Sequence, residues 1–340
     1  MTRVFHGPNN IAGAAGALAR AQREMGIDAL SVCFGTGSYA YEVDRELEPG
    51  LGSRLRLMAM AKDFDIFHFY YGESLSGSRL VDVPWLRRMG KKVFFYFCGC
   101  DLRDSKAVIE RHAISACAEC WPMGCSANRD AATAAAAESD GVFVSTPDLL
   151  EFMPGATLLL QPIDLQRFDV LRQAALARTI RADDGVVRIA HAPSNRTIKG
   201  TIHIVAAVNE LERRGRQVEL VLVEGRSHVE SLALYNSCDI AIDQVLIGAY
   251  GQFSVETMAL GKPTVCYVRN DLRSLYPGEV PIVSGDPTNL ADVLDELIER
   301  RETWEDLGER GVAYVAQAHD VRRVATVAAR AYGLSGGATS

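Results

Sequence analysis

The sequence predicts an α/β protein made of two similar halves, each a parallel sheet wrapped by helices. Three observations carry this. At 340 residues the chain exceeds what one hydrophobic core usually holds, so two domains are expected. Short β-branched and aromatic runs alternate with helical patterns in two separate series, and such alternation marks parallel sheets with crossover helices. Between the two series lies Gln161-Pro162-Ile163-Asp164, which reads as an interdomain crossing. The composition agrees: 48% hydrophobic residues, 23% charged residues and 29 glycines describe an ordinary soluble α/β chain and exclude a disordered one.

The first series opens with a strand at Val4 to His6, followed by the small-residue loop Gly7-Pro8-Asn9-Asn10-Ile11-Ala12-Gly13 and an alanine-rich helix ending at Met25-Gly26. Such a loop, Gly13 included, either lets a ligand approach the amides of a helix N-terminus or is a tight turn that allows close helix packing. Ala29 to Phe34 and Phe64 to Tyr71 read as buried strands. A helix around residues 83–89 leads through Gly90-Lys91-Lys92 into Val93 to Phe97, the strongest strand signal of this half. The basic cluster Arg87, Arg88, Lys91 and Lys92 reads as a solvated helix end in preference to a surface for anionic lipid or substrate. An alanine-rich helix over 126–139 and strands at Val142 to Ser145 and Leu158 to Leu160 complete an acceptor-side domain over residues 1–165, with a Cys-rich insertion at 98–125.

The second series begins with a strand at Val186 to Ala190 that breaks into Pro193 and Ser194. There follow a helix over 201–214, a strand over 218–223, a helix over 227–236, a strand over 239–242, a helix over 253–260 and a strand over 263–268. Helices near 287–301 and 303–316 close a domain over 166–317. An amphipathic helix at 319–332 precedes ten residues expected to fray. Two Rossmann-like halves in tandem place a ligand cleft between facing strand ends.

With 36 Lys and Arg against 43 Asp and Glu, the formal charge of −7 argues against nucleic acid as a partner, so any anion site must be local. No basic segment followed by an apolar run opens the chain, and no apolar stretch is long enough to span a bilayer, so a cytoplasmic protein without a transmembrane segment is expected. The local anion site falls in Arg188-Ile-Ala-His-Ala-Pro-Ser-Asn-Arg-Thr-Ile-Lys-Gly200. Arg196 and Lys199 stand three residues apart at the mouth of a strand–loop–helix unit, where a planar fork and a point charge can clamp a diphosphate. The competing reading is a solvated basic loop.

Taken together, these residues resemble the retaining GT-B glycosyltransferases, in particular the family 4 enzymes that use nucleotide-sugar donors. Ser194-Asn195-Arg196-Thr197-Ile198-Lys199-Gly200 resembles that family's donor-diphosphate loop. Val255-Glu256-Thr257-Met258-Ala259-Leu260-Gly261-Lys262-Pro263 matches its Glu-Ala-Met-Ala-x-Gly-x-Pro segment, and Gln161-Pro162-Ile163-Asp164-Leu165 with Phe168 is similar to its linker. The resemblance covers nearly the whole chain and implies a GT-B fold whose C-terminal helix, within 318–340, returns to the N-terminal domain. It also implies a hexosyl or N-acetylhexosaminyl transfer with retention, from a nucleoside diphosphate sugar (UDP ahead of GDP) to a small-molecule or lipid-linked acceptor. Arg196 and Lys199 then neutralise the leaving phosphates without a cofactor for the chemistry. Gly13, Asn195, Glu224, Tyr250, Gly251, Gln252, Phe253 and Glu256 are the expected donor contacts, Glu256 accepting from ribose hydroxyls or acting as a helix-capping carboxylate. Asp243 is expected to line the cleft and Asp239 to be structural.

Two departures stand out. The family usually carries a second Glu eight positions before Glu256, where this chain has Gly248, and a His-Gly-x-Asp after the strong first-half strand, where this chain has Cys98-Gly99-Cys100-Asp101. His68, His6 and Asp101 remain as acceptor-side candidates, each histidine with an equally valid structural reading. The alternatives to a transferase are a binding or regulatory subunit that has lost catalysis and a nucleotide-sugar epimerase. Five of eight cysteines fall between 98 and 125, with Cys117 and Cys120 spaced as C-x-x-C. Cys100, Cys117, Cys120 and Cys125 form a quartet suited to structural zinc, with His112 as an alternative ligand. Buried free thiols, a disulfide and an iron–sulfur site are the other readings.

Overall fold

The computed structural model describes residues 2–35, 39–78, 80–120, 125–178 and 185–334. The fraying expected of the last ten residues falls largely outside them. The chain divides into two compact units, one from Met1–Ser105, Met123–Pro162 and Asp320–Ser340, the other from Lys106–Pro122 and Ile163–His319.

The first unit carries seven strands: β1 (Arg3–Gly7), β2 (Asp28–Phe34), β3 (Arg45–Leu47), β4 (Ile66–Tyr70), β5 (Lys92–Phe97), β6 (Gly141–Val144) and β7 (Thr157–Leu158). They form one sheet in the order β3-β2-β1-β4-β5-β6-β7, every pair parallel. A strand covered on both faces is apolar along its whole length, which is why β4 and β5 read as aromatic runs. Phe5, Phe67, Phe69, Phe95 and Phe97 fill the core on one face, and Val4, Ile66, Tyr70, Phe94 and Tyr96 that on the other. Basic residues of the 87–92 cluster are tied to this unit: Lys92 donates to the Tyr332 carbonyl at 2.8 Å and Lys91 pairs with Asp65 at 3.8 Å.

The helix Val321–Tyr332 belongs to the first unit. Asp320 caps it through the amide of Arg322 at 2.8 Å, and its buried face (Val321, Val324, Ala325, Ala328, Tyr332) packs with Ala14, Ala15 and Leu18 of the helix Ala14–Glu24. Small residues on both helices permit the close approach.

The second unit carries β8 (Val187–His191), β9 (Val218–Leu222), β10 (Ile240–Ile242) and β11 (Thr264–Val265) in a parallel sheet of order β11-β10-β8-β9. The chain passes from β8 outward to β9, then returns to the other side of β8 for β10. The loops leaving β8 and β10 therefore diverge at the point where strand order reverses, the place at which open parallel sheets take ligands. Buried His191 ties this point together: Nδ1 donates to the Ile242 carbonyl at 2.8 Å and Nε2 accepts from the Thr201 hydroxyl at 2.9 Å. Burial holds its pKa down to about 4, so it stays neutral in this role.

One segment departs from the expected division. Of residues 98–125, read from the sequence as a Cys-rich insertion of the first domain, 106–120 pack as part of the second unit. Ala116 joins the second unit's core, its amide donates to the Leu246 carbonyl at 3.0 Å, Glu119 meets His203 at 2.6 Å, and His112 lies 2.8 Å from Arg269. Apolar Ile114 and Ala116 carry the segment there. The helices Leu51–Met60 and Leu165–Arg178 also went unread.

Candidate functional site

The loop after β8 supplies both cations. Asn195 is the N-cap of the one-turn helix Arg196–Lys199, its Oδ1 accepting from the Ile198 amide at 3.0 Å. The expected donor contact is thus a backbone brace. From this turn the two cations go opposite ways.

Lys199 turns toward the loop after β10. Its ammonium donates to Asp243 Oδ1 at 2.8 Å and to Gln244 Oε1 at 2.7 Å. Asp243 Oδ2 accepts from the Gly251 amide at 2.9 Å and from the Ser254 hydroxyl at 2.8 Å. The carboxylate is fully buried. Burial alone would raise its pKa, but the Lys199 charge and hydrogen bond, with the Gly251 and Ser254 donors, hold it below the ordinary carboxylate value. A side chain on Gly251 would begin 3.2 Å from the Lys199 ammonium and 3.3 Å from Asp243, so the glycine keeps this corner open. The helix Gln252–Ala259 starts there, with no side-chain cap on Gly251 and no acidic residue in its first turn. Uncapped amides, a helix dipole and an ammonium therefore converge, an arrangement that favours an anion.

Arg196 turns the other way, toward the loop after β9. Its Nε donates to Glu224 Oε1 at 2.9 Å and its Nη2 to Oε2 at 2.5 Å, with 61% of the side chain exposed. The sequence reading brought both cations to one point; the structure brings Lys199 there and pairs Arg196 with Glu224. The cause is strand order, since β9 is β8's neighbour on the side away from β10.

Glu256 is buried in the same helix. Its Oε1 accepts from His228 Nε2 at 2.9 Å and from Gln252 Nε2 at 3.3 Å. The Gln252 side-chain oxygen, Oε1, is buried without a hydrogen-bond partner among the described residues. A carboxylate and an orphaned acceptor thus stand within one turn of the uncapped amides, suited to ligand hydroxyls. His228 had no signal in the sequence beyond its position after Ser227, where Ser227 and Glu230 form a capping box.

Several expected site residues have other roles. Tyr250 is fully buried, stacked on Tyr276 at 4.6 Å, with its hydroxyl on Tyr314 at 2.7 Å and His319 at 2.9 Å, so it anchors the loop from the core. The Phe253 ring is buried against Tyr235 at 4.7 Å, which leaves only its amide for a ligand. Asp239 accepts from the Arg188 amide at 2.8 Å, a structural bond.

In the first unit, His68 is fully buried. Its Nδ1 shares a 2.5 Å hydrogen bond with the Tyr332 hydroxyl, and burial followed by the neighbouring His6 holds its pKa well below the ordinary value. It is a core histidine under the C-terminal helix, in register with His6 and Phe94 and closed off from solvent, which corrects its reading as a catalytic candidate. His6 is likewise neutral and buried, bonded to Tyr70 at 2.7 Å and Gln22 at 2.9 Å, its pKa held by burial at about 4. Asp101 folds back to accept from the amides of Cys98 (3.1 Å) and Gly99 (2.6 Å), and burial raises it to about 6 despite those donors. It shapes the turn after β5. Gly13 holds φ at +79°, and a Cβ there would meet Tyr41 at 2.9 Å. Asn10 already accepts from the amides of Ala15 and Gly16 at 3.0 and 3.3 Å, so this helix start is capped and the glycine serves packing.

At the missing second Glu, Gly248 has φ of +82° and its carbonyl accepts from the Arg269 amide at 2.9 Å; a Cβ would lie 2.6 Å from Arg269 Cδ. The stem of Arg269 thus occupies the space of a side chain there. Cys100 and Cys125 belong to the first unit and Cys117 and Cys120 to the second. Among the described residues no three His, Cys, Asp or Glu side chains gather as a metal site.

No protein-family model and no curated protein sequence matches the chain. Solved structures do match over nearly its full length. Anabaena Alr3699/HepE in complex with UDP-glucose is 14% identical, with 98% of this chain and 99% of that chain covered and a TM-score of 0.65. Sucrose-phosphate synthase from Thermosynechococcus elongatus is also 14% identical, with 98% of each chain covered and a TM-score of 0.61. The catalytic domain of starch synthase IV from Arabidopsis thaliana, bound to ADP and acarbose, is 11% identical, with 98% of each chain covered and a TM-score of 0.63. At these identities the likeness establishes the fold, which is that of the GT-B glycosyltransferases. No helix among the described residues is long and apolar enough to cross a membrane.

Proposed function

We propose that this protein is a glycosyltransferase that takes a sugar from a nucleoside diphosphate donor, UDP ahead of GDP, and passes it with retention to a small-molecule or lipid-linked acceptor in the cytoplasm. The observation that carries the reading is the ammonium of Lys199, held by Asp243 beside the uncapped start of the Gln252–Ala259 helix at the point where the second sheet reverses. Ammonium and amides there suit the β-phosphate, and Glu256 and the Gln252 side-chain Oε1 suit ribose hydroxyls. The complexes of HepE with UDP-glucose and of starch synthase IV with ADP support a nucleotide donor.

A retaining transfer at such a site asks little of a protein base. As the bond from the anomeric carbon to the β-phosphate oxygen breaks, the acceptor oxygen attacks from the same face and its proton passes to the departing phosphate. The protein contributes position and charge neutralisation. With His68 in the core and Asp101 in a turn, no acidic or basic side chain of the first unit is needed for this route.

Purified protein incubated with a panel of nucleotide sugars tests the proposal. Release of free nucleoside diphosphate, lowered together with donor affinity by Lys199→Ala, is the expected outcome. Donor binding without release in any acceptor mixture identifies a binding subunit instead, and isomerised sugar without acceptor identifies an epimerase.

A further inference from the structure

Both cations of the Arg196–Lys199 turn carry an acidic partner, and the partners differ in kind. Asp243 is fully buried and bound in addition by Gly251 and Ser254, so it is a fixed counter-ion of Lys199. Glu224 lies two residues past the end of β9, with 35% of its side chain exposed, and holds an Arg196 side chain that is itself 61% exposed. The pair is bidentate, Nε to Oε1 at 2.9 Å and Nη2 to Oε2 at 2.5 Å. These fork donors are the ones a phosphate would engage in the same two-point manner. Carboxylate and phosphate cannot both have them.

The backbone leaves Arg196 free to change partner. Asn195 caps the turn and fixes its start. Residues three apart on a helical turn stand about 5–6 Å apart at Cβ, so the root of the Arg196 side chain is already beside that of Lys199. Rotation about side-chain bonds carries the guanidinium from the β9 loop toward the start of the Gln252–Ala259 helix. Water competes for an exposed ion pair, so little opposes the exchange. For Lys199 the reverse holds: its partner is buried and cannot be displaced. Asp243 cancels the ammonium's charge, and Arg196 is left to supply the net positive charge that a diphosphate needs.

We infer that Glu224 is the ligand-free counter-ion of Arg196, displaced when the donor's diphosphate binds, and that it sets donor affinity by competition without touching the donor. The inference rests on the nucleotide-sugar reading above. It reassigns Glu224 from a donor contact to a competitor for the contact's partner. It also gives the product an exit, because the carboxylate recaptures the fork as the nucleoside diphosphate leaves.

Calorimetric titration of UDP and of uridine into the parent protein, into Glu224→Gln, and into Arg196→Ala with and without Glu224→Gln tests this. Glu224→Gln should bind UDP about two- to fivefold more tightly, the range of an exposed ion pair, and bind uridine as the parent does. In the Arg196→Ala background the gain should vanish. An unchanged or weakened UDP affinity in Glu224→Gln, when the parent binds UDP well, overturns the inference and leaves the nucleotide-sugar reading standing. A gain that persists without Arg196 also overturns it, since simple relief of repulsion would then suffice. Failure of the parent to bind any nucleoside diphosphate removes the site reading and the inference with it.

Discussion

Replacing Lys199 with Met tests the Asp243 pair where the structure commits itself most. The ammonium and carboxylate are 2.8 Å apart, with 14% and 1% of their side chains exposed. Removing one partner of a buried pair costs about 3–5 kcal/mol because the other charge is left uncompensated; the partial exposure of Lys199 puts the expected loss at the lower end, about 3 kcal/mol at pH 7. The apolar side chain keeps most of the packing, so the loss reports the charge. Its pH dependence supplies a second signature. In the parent, the folded Asp243 carboxyl lies below its ordinary value, so the stability it contributes is present above the unfolded pKa and is lost as pH falls through the folded one. In Lys199→Met the chief lowering influence is gone and burial raises the carboxyl above its unfolded value, so the penalty is greatest near neutrality and relaxes as the group protonates in acid. The gap between parent and variant should therefore narrow from pH 7 toward pH 4. Urea unfolding followed by circular dichroism at several pH values measures it, and a transition about 6–12 °C lower is the thermal counterpart. A loss under about 1 kcal/mol with no narrowing in acid would refute the reasoning. Adding Asp243→Asn to Lys199→Met should recover part of the loss, because both halves of the pair are then gone.

Two further outcomes follow from particular residues. Gly248→Glu, which restores the family's usual carboxylate, should destabilise the protein by about 2–4 kcal/mol, since a Cβ at φ of +82° is strained and lies 2.6 Å from Arg269 Cδ; Arg269→Ala should relieve part of that loss in thermal unfolding. Tyr332→Phe removes the partner of His68 and should lower stability by about 1–3 kcal/mol while leaving turnover at saturating substrates unchanged. A selective fall in turnover with stability intact would return His68 to the chemistry.

The fold was legible because strand and helix patterns are local. Runs such as Val93 to Phe97 and the helical pattern over 201–214 announce their elements without reference to anything distant. Lys199 at the site was legible for the same reason, as it lies in a strand–loop–helix junction. The direction of Arg196 was not, because it depends on β9 and β10 flanking β8 on opposite sides, which no local pattern states. Tyr250 was misread because its partners Tyr276, Tyr314 and His319 come from 26 to 69 residues away. His68 follows a simpler rule in retrospect: it pairs in register with His6 and Phe94 in strands buried on both faces, where a polar residue is more readily a core group than a catalyst. The cysteine spacing marked two short loops but carried nothing about which unit each joins; Ile114 and Ala116, the apolar residues before Cys117, decided that.

The central claim is that the start of the Gln252–Ala259 helix, with Lys199 beside it, holds the donor's diphosphate. A crystal structure of the protein with UDP tests it most directly. The account predicts the β-phosphate within hydrogen-bonding distance of the Lys199 ammonium and the Gln252 and Phe253 amides, with the Arg196 fork moved off Glu224 and onto phosphate oxygen. Phosphates bound elsewhere, with the helix start empty and Arg196 still on Glu224, would contradict it.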